Sequence, residues 1–175
     1  MGDHESWPAR PRVFAPAGPV PAPPTGHSWE GLMDMALAEA RMARALGDVP
    51  VGAVIAGADG RILARAGNAV EQRHDPTAHA EVLAIRKACA RLRNWRLSGC
   101  VLVVTLEPCA MCAATIVHAR LAGVVYGAAD AAAGAVTSRA EYLDGPVCPT
   151  PVWHMGGVRA GACAHLLQQC FEGRR

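Results

Sequence analysis

Residues 75–88 read DPTAHAEVLAIRKA, and this stretch joins a predicted core helix to two titratable side chains. Apolar residues recur there and just beyond it at a spacing of three or four, namely at Val82, Ile85, Cys89 and Leu92. Such a spacing is typical of a helix that packs one face on a core. His79 and Glu81 stand immediately before the apolar stripe. The stretch therefore predicts a buried helix that presents a histidine and a carboxylate at its start.

The segments around this helix alternate between strand and helix patterns. Strands are predicted at 50–56, 61–67, 100–105 and 123–127, with a weaker one at 151–155. Helices are predicted at 29–46 and 109–119, with a short one at 138–143, and 68–77 is predicted to be a polar loop. A last helix near the C-terminus is predicted from an apolar stripe formed by Cys163, Leu166, Leu167 and Cys170. The turn at 58–60 joins the first two strands as a hairpin. This order predicts an α/β fold, a three-layer α-β-α domain with a central mixed five-stranded sheet.

The N-terminal region differs in composition from the rest of the chain. Residues 1–28 hold seven of the thirteen prolines, which predicts a disordered arm and leaves 29–175 as the folded domain. No apolar run reaches the roughly 18 residues of a membrane span, and the N-terminus lacks the apolar core of a secretory signal. We therefore expect a cytoplasmic protein, in which the seven cysteines are metal ligands or buried thiols rather than disulfides.

The stretch LEPCAMCAATIVHAR at 106–120 contains two candidate metal ligands. Pro108 suits the first turn of a helix, and Cys109 and Cys112 would place their sulfurs on one side of that turn. The positive end of the helix dipole favours thiolates there. His79 opens the other buried helix, and such helix N-termini gather at the carboxyl ends of the strands in an open α/β sheet. Three protein ligands with a fourth position open are typical of catalytic zinc, whereas structural zinc usually has four protein ligands.

Glu81 would then lie beside the zinc without binding it. Zinc lowers the pKa of a bound water to roughly 7, and a nearby carboxylate can take the proton and pass it to a substrate. The other cysteines and histidines are predicted to be structural: Cys89, Cys100, Cys163, Cys170, His118 and His154. One alternative remains open, since Cys148 or His154 could complete a four-ligand site in a protein that holds zinc or binds RNA without catalysis.

With these residues in view, the chain resembles the bacterial tRNA-specific adenosine deaminases of the cytidine deaminase-like superfamily. The pattern H-x-E followed by P-C-x-x-C marks the zinc deaminases that act on nucleobases. Longer segments indicate the tRNA deaminase branch: GDVPVGAVI at 47–55, RHDPTAHAEVLAIR at 73–86, NWRL at 94–97, VTLEPCAMCAATIVHAR at 104–120 and VVYGAAD at 124–130.

The resemblance implies zinc-dependent hydrolysis of adenosine to inosine at the wobble position of a tRNA anticodon loop. It also implies a homodimer with one zinc per subunit and no DNA substrate, with the target base splayed from the loop into a pocket. Asn68 matches the base-contacting asparagine of the family, the Ala80 backbone would line the pocket, and Asp130 matches an acidic residue beside the substrate strand. In the implied mechanism, Glu81 carries a proton from water to adenine N1 and then one to the departing ammonia.

The chain departs from the family pattern after Asp130. The family usually has basic residues beside this acid and then Gly-Ser, whereas this chain has Ala129, alanines at 131–133 and VTS at 136–138. PTPVWHM at 149–155 replaces a common Asn-His. These changes spare the metal site but remove expected RNA contacts. A deaminase of a small purine such as guanine therefore stays open as an alternative.

Overall fold

The computed structural model of the chain describes residues 21–144, 148, 150 and 152–172. Its strands are β1 (Gly52–Ala56), β2 (Ile62–Gly67), β3 (Val101–Leu106), β4 (Gly123–Ala128) and β5 (Trp153–Gly156). Its helices are α1 (Trp29–Ala45), α2 (Val70–Arg73), α3 (Ala80–Leu92), α4 (Ala110–His118) and α5 (Ala160–Glu172).

The five strands form one mixed sheet in the order β2-β1-β3-β4-β5. Strand β1 pairs antiparallel with both β2 and β3, whereas β3, β4 and β5 run parallel. The β1–β2 connection is the predicted hairpin, and Gly60 adopts the positive φ of 83° that its turn requires. The prediction of a mixed five-stranded sheet is confirmed.

Alternate residues of the strands face two separate cores, because successive side chains of a strand point to opposite faces of the sheet. One core joins Val54, Val103 and Val125 to helices α1 and α5. The other joins Ile55, Val104 and their neighbours to helices α3 and α4. The domain is therefore the predicted three-layer α-β-α sandwich.

Helix α1 begins where the sequence predicts. The Ser28 hydroxyl accepts a hydrogen bond of 3.0 Å from the Gly31 N–H, which caps the helix. The helix then lies directly on the sheet at Gly52, where an added Cβ would be 2.0 Å from the Ala36 carbonyl oxygen. A glycine at this position therefore sets how closely the helix approaches β1.

Two local predictions are wrong. The expected loop at 68–77 contains the short helix α2, and the helix expected at 138–143 is a series of turns. In the second case the N–H groups of Val136, Thr137 and Ser138 donate to the carboxylate of Glu107, a long-range contact that local sequence does not reveal.

The last residues of the predicted arm also differ from the prediction. Thr25 donates a 3.3 Å hydrogen bond from its N–H to the Ala58 carbonyl, and His27 Nε2 lies 2.8 Å from the Gly60 carbonyl oxygen. These contacts hold the chain against the β1–β2 turn, so the ordered part begins before residue 28. Residues 1–20 lie outside the described residues. Within the described part of the chain, none of the helices has both the length and the apolar character needed to cross a bilayer.

Candidate active site

His79 is held in an extended conformation at the start of α3. It is the N-cap residue of that helix, with φ −69° and ψ 149°, so its ring projects from just outside the first turn. Asp75 stabilises the turn before His79, because its Oδ1 accepts hydrogen bonds of 2.8 and 2.7 Å from the N–H and the hydroxyl of Thr77. The Ala69 N–H donates to the Ala78 carbonyl at 3.0 Å, which ties the helix start to the end of β2.

Cys109 and Cys112 occupy the start of α4. Cys109 is the N-cap residue and Cys112 lies three residues later, so both sulfurs point to the same end of the helix. Pro108 precedes the N-cap instead of lying in the first turn, which corrects the predicted helix start. Since α3 leads into β3 and β3 leads into α4, both helices begin at the carboxyl end of the parallel strands.

The three predicted ligands converge on one point. His79 Nδ1 lies 3.7 Å from Cys109 Sγ and 3.5 Å from Cys112 Sγ. In a tetrahedral zinc site with Zn–S near 2.3 Å and Zn–N near 2.0–2.1 Å, two ligand atoms would be roughly 3.6 Å apart. The spacing and the donor types therefore fit zinc. Among the described residues, His79, Cys109 and Cys112 form the group able to hold a metal ion.

The cluster carries a negative charge on one sulfur, which favours the binding of a metal cation. Hydrogen bonds from Cys112 and His79 lower the pKa of Cys109 to about 4, so its sulfur is a thiolate at neutral pH. The same thiolate, together with burial, raises the pKa of Cys112. The contact with Cys109 raises the pKa of His79 despite the burial of the ring. A metal ion would replace these shared protons.

Glu81 lies beside the ligands in a dry environment. Its side chain is 4% exposed, and burial raises the pKa of the carboxyl, with His79 and Cys112 acting in the opposite direction. Burial thus favours the protonated form of this carboxyl relative to that of an exposed glutamate, and a general acid must be able to hold a proton. Glu81 lies two residues after His79 and outside the group of candidate ligands, and its role as the proton carrier stays a prediction.

Asn68 is a buried side chain just after β2. Its Nδ2 donates a hydrogen bond of 3.1 Å to Oδ1 of Asp48, and the Asn68 N–H donates to the Val51 carbonyl. Asp48 also accepts bonds from the N–H groups of Glu71 and Gln72 at the start of α2. Burial raises the pKa of the Asp48 carboxyl, but the hydrogen bonds from Gln72, Glu71 and Asn68 outweigh it, and the pKa lies below the ordinary value.

The other two predicted substrate contacts have different surroundings. Ala80 is the first residue of α3 and is fully buried behind His79. Oδ1 of Asp130 accepts hydrogen bonds of 2.9 and 3.1 Å from the N–H groups of Ala132 and Ala133, so it closes the turn that follows β4. The roles of Asn68, Ala80 and Asp130 in substrate binding stay predictions.

The two alternative zinc ligands are engaged elsewhere. The Cys148 thiol donates to the Thr150 carbonyl at 2.9 Å. His154 Nε2 lies 2.8 Å from Asp144 Oδ2, with the ring buried in the sheet. Neither joins the cluster of His79 and the two cysteines, so the four-ligand alternative gains no support.

Two acidic residues near the site are missing from the predictions, namely Asp48 and Glu107. Both are almost fully buried, at 1% and 2% exposed. Each adjoins a strand of the sheet, Asp48 before β1 and Glu107 directly after β3. A charged residue next to a long apolar run is a weak signal that such a side chain has specific partners.

The candidate metal ligands lie within a segment that matches a known family. Residues 27–128 match the family described as the cytidine and deoxycytidylate deaminase zinc-binding region. This range includes His79, Glu81, Cys109 and Cys112.

Individual proteins extend the similarity beyond that range. A tRNA-specific adenosine deaminase of Agrobacterium fabrum is 44% identical over 143 residues, which cover 82% of this chain and 93% of the relative. A solved structure from work on A-to-I editing by tRNA:A34 deaminases is 44% identical, with a TM-score of 0.75, covering 78% of this chain and 98% of that one. A guanine deaminase from Nitrosomonas europaea is 25% identical, with a TM-score of 0.68, covering 92% of this chain and 87% of that one.

Proposed function

Since the chain belongs to the family of tRNA-specific adenosine deaminases, we propose that it hydrolyses adenosine to inosine at the wobble position of a tRNA anticodon loop. The observation that carries this function is the buried Glu81 carboxyl beside a cluster of His79, Cys109 and Cys112 that fits zinc. Water replaces the exocyclic amine in this reaction, so the C6–N bond breaks, a C6–O bond forms and ammonia leaves.

The residues of the site divide this work between them. His79, Cys109 and Cys112 hold the zinc, which supplies an activated water at neutral pH when it is bound. Glu81 takes a proton from the attacking water and delivers it to N1 of adenine. The same carboxylate then takes the remaining proton from the hydroxyl group now on C6 and passes it to the C6 amine, so the C6 carbonyl forms as the C6–N bond breaks and ammonia leaves. Because Glu81 is buried, its proton is exchanged with the substrate rather than with bulk solvent.

Substrate contacts are assigned to residues around this centre. The amide of Asn68, oriented by Asp48, contacts the edge of the adenine base. The backbone at Ala80 lines the pocket beside the ligand His79. Asp130 lies beside the RNA strand that flanks the target base.

The enzyme is further proposed to act as a homodimer in the cytoplasm. Helix α4 carries no Asp, Glu, Lys or Arg, and Met111, Ala114 and Thr115 on it are only half-buried in a single chain. A second copy of the chain would cover this uncharged face. Sedimentation equilibrium of the zinc-loaded protein tests this proposal, and a monomer at micromolar concentration would contradict it.

The activity is tested with an RNA anticodon stem-loop that contains A34 in the sequence ACG. The zinc-loaded protein is expected to convert A34 to inosine, measured by nuclease digestion and mass spectrometry of the nucleosides. A stem-loop with G34 serves as the matched control and should stay unchanged. Guanine is assayed in parallel, because the similarity to a guanine deaminase and the alanines after Asp130 favour that second candidate. Xanthine formation without inosine would overturn the main proposal.

A further inference from the structure

Glu107 is a buried carboxylate that the deamination chemistry does not use. Its Oε1 accepts hydrogen bonds from the N–H groups of Val136, Thr137 and Ser138 at 3.1, 2.7 and 2.9 Å. Its Oε2 accepts one from the Asp130 N–H at 3.0 Å and another from the Ser138 hydroxyl. Five donors thus converge on one side chain that is 2% exposed.

These donors belong to residues 130–138, here called the 130–138 segment. The segment contains turns and one isolated bridge instead of a helix or strand. Four of its nine residues are alanines, whose side chains cannot make hydrogen bonds, and Asp130 Oδ1 accepts its bonds from within the turn. Because a buried N–H needs a partner, the carboxylate of Glu107 is the main anchor for the backbone of this segment.

The segment lies directly against a metal ligand. Gly134 forms an antiparallel bridge with Cys109, and the Ala135 N–H donates to the Pro108 carbonyl at 2.8 Å. An added Cβ on Gly134 would lie 2.5 Å from both Cδ and Oε2 of Glu107. The 130–138 segment therefore packs closely against both Glu107 and Cys109, and a methyl group added at Gly134 would not fit.

We propose that Glu107 is a positioning residue, which anchors the 130–138 segment against Cys109 and so shapes the surface that binds the RNA strand beside the target base. This inference rests on the proposed function. Cys109 is partly exposed, and the backbone at Gly134 is its neighbour, so a substrate that approaches Cys109 from solvent meets the segment. Because five donors from the segment occupy its oxygens, Glu107 is not available for proton transfer, and any effect on RNA binding passes through the segment.

The test compares the wild type with Glu107→Gln, which keeps the shape of the side chain but replaces one accepting oxygen by a donor. Three quantities are measured on the full chain loaded with zinc: the zinc content, the hydrogen exchange of amides 130–138, and the Kd of a fluorescent anticodon stem-loop. We expect unchanged zinc, faster exchange at 136–138, and a Kd raised about tenfold, the loss typical of hydrogen bonds to a charged group. In turnover, KM should rise by a similar factor while kcat changes little.

Two further variants separate positioning from general destabilisation. Glu107→Asp retains the charge on a shorter side chain and should restore part of the RNA affinity. Val125→Ala truncates a buried residue on the opposite face of the sheet. It should lower the melting temperature without changing the Kd or the exchange at 136–138. If Glu107→Gln does not fold, Gly134→Ala displaces the segment from the other side and should raise the Kd in the same way.

The outcomes distinguish this inference from the proposed function. Wild-type RNA affinity and wild-type exchange in Glu107→Gln would overturn the inference, as would a loss of affinity that only follows a loss of zinc. A wild type that binds the stem-loop but forms no inosine would overturn the proposed function and leave the role of Glu107 in RNA binding intact. A wild type that does not bind the stem-loop overturns both.

Discussion

Asn68 Nδ2 donates a hydrogen bond of 3.1 Å to Asp48 Oδ1, and this contact sets the orientation of the Asn68 amide. An ionised carboxylate can only accept hydrogen bonds, so the amide nitrogen has to face Asp48 and the amide oxygen has to face away. Twenty residues separate the two side chains, and the fold brings them together because the N–H of Asn68 bonds to Val51 beside β1.

Removal of Asp48 should therefore affect both stability and turnover. In Asp48→Ala, the N–H groups of Glu71 and Gln72 and the Asn68 amide lose their acceptor in a buried place. We expect the free energy of unfolding to fall by about 2–3 kcal/mol and turnover of the stem-loop to fall, with zinc retained. Urea unfolding and the inosine assay measure the two effects. Glu141→Ala, which removes an exposed acid, is the control and should change neither; wild-type turnover in Asp48→Ala would contradict the role in orientation.

The same carboxylate predicts a pH dependence of stability. The pKa of Asp48 is lowered in the folded state, so its contribution is fully present above the unfolded pKa of about 3.9. That contribution is lost as the pH falls through the lower folded pKa. The difference in unfolding free energy between wild type and Asp48→Asn should thus shrink below pH 4. Urea unfolding of both metal-free proteins at pH 6, 4 and 3 checks this, and a difference that grows toward acid pH would have the wrong sign.

Replacement of Glu81 should remove catalysis and preserve the metal site. Glu81→Gln keeps the volume of the buried side chain but cannot exchange a proton with the substrate. We expect turnover to fall by about 10²–10⁴-fold, the usual contribution of a general acid and base. Zinc content and melting temperature should stay at the wild-type values. Glu71→Gln changes an exposed acid and should retain activity; comparable activity in both variants would exclude Glu81 as the proton carrier.

Zinc removal should destabilise the fold through its three ligands. A metal that binds only the folded state adds about 2.7 kcal/mol at a free concentration 100 times its Kd. A chelator should therefore lower the melting temperature of the wild type. Cys112→Ala should hold little zinc and show no further response to the chelator. Cys89→Ala removes a half-buried thiol outside the cluster and should respond like the wild type, as metal analysis and thermal scans will show.

Two glycines offer a matched test of helix packing. In Gly52→Ala, the new methyl group would lie 2.0 Å from the Ala36 carbonyl oxygen of α1, so the helix must move off the sheet. We expect a loss of about 3 kcal/mol or more in unfolding free energy. In Gly161→Ala, nothing lies within 4 Å of the new methyl, and the α5 helix should gain about 0.5–1 kcal/mol. Equal effects of the two substitutions in chemical denaturation would contradict this packing.

The regular elements were predictable because each depends on local periodicity. The apolar stripe beginning at Val82 predicts α3, the Ser28 cap predicts the start of α1, and the continuous apolar run at 100–105 predicts the buried strand β3. Leu92 shows the limit of this reasoning, since it has the right spacing for the core but is 38% exposed at the end of its helix. Two segments without periodicity, α2 and 138–143, were predicted incorrectly.

The sequence by itself determined the chemistry of the site. The types and spacing of His79, Glu81, Cys109 and Cys112 predict a zinc centre with a proton carrier, because ligand preference and helix geometry are local properties. Only the tertiary structure decided which buried carboxylates position the segments around this centre. Glu107 and Asp48 each find partners about 20 to 30 residues away, and such contacts depend on the order of strands in the sheet rather than on neighbouring residues. Burial then makes these contacts strong, because a carboxylate withdrawn from water must accept hydrogen bonds from the protein.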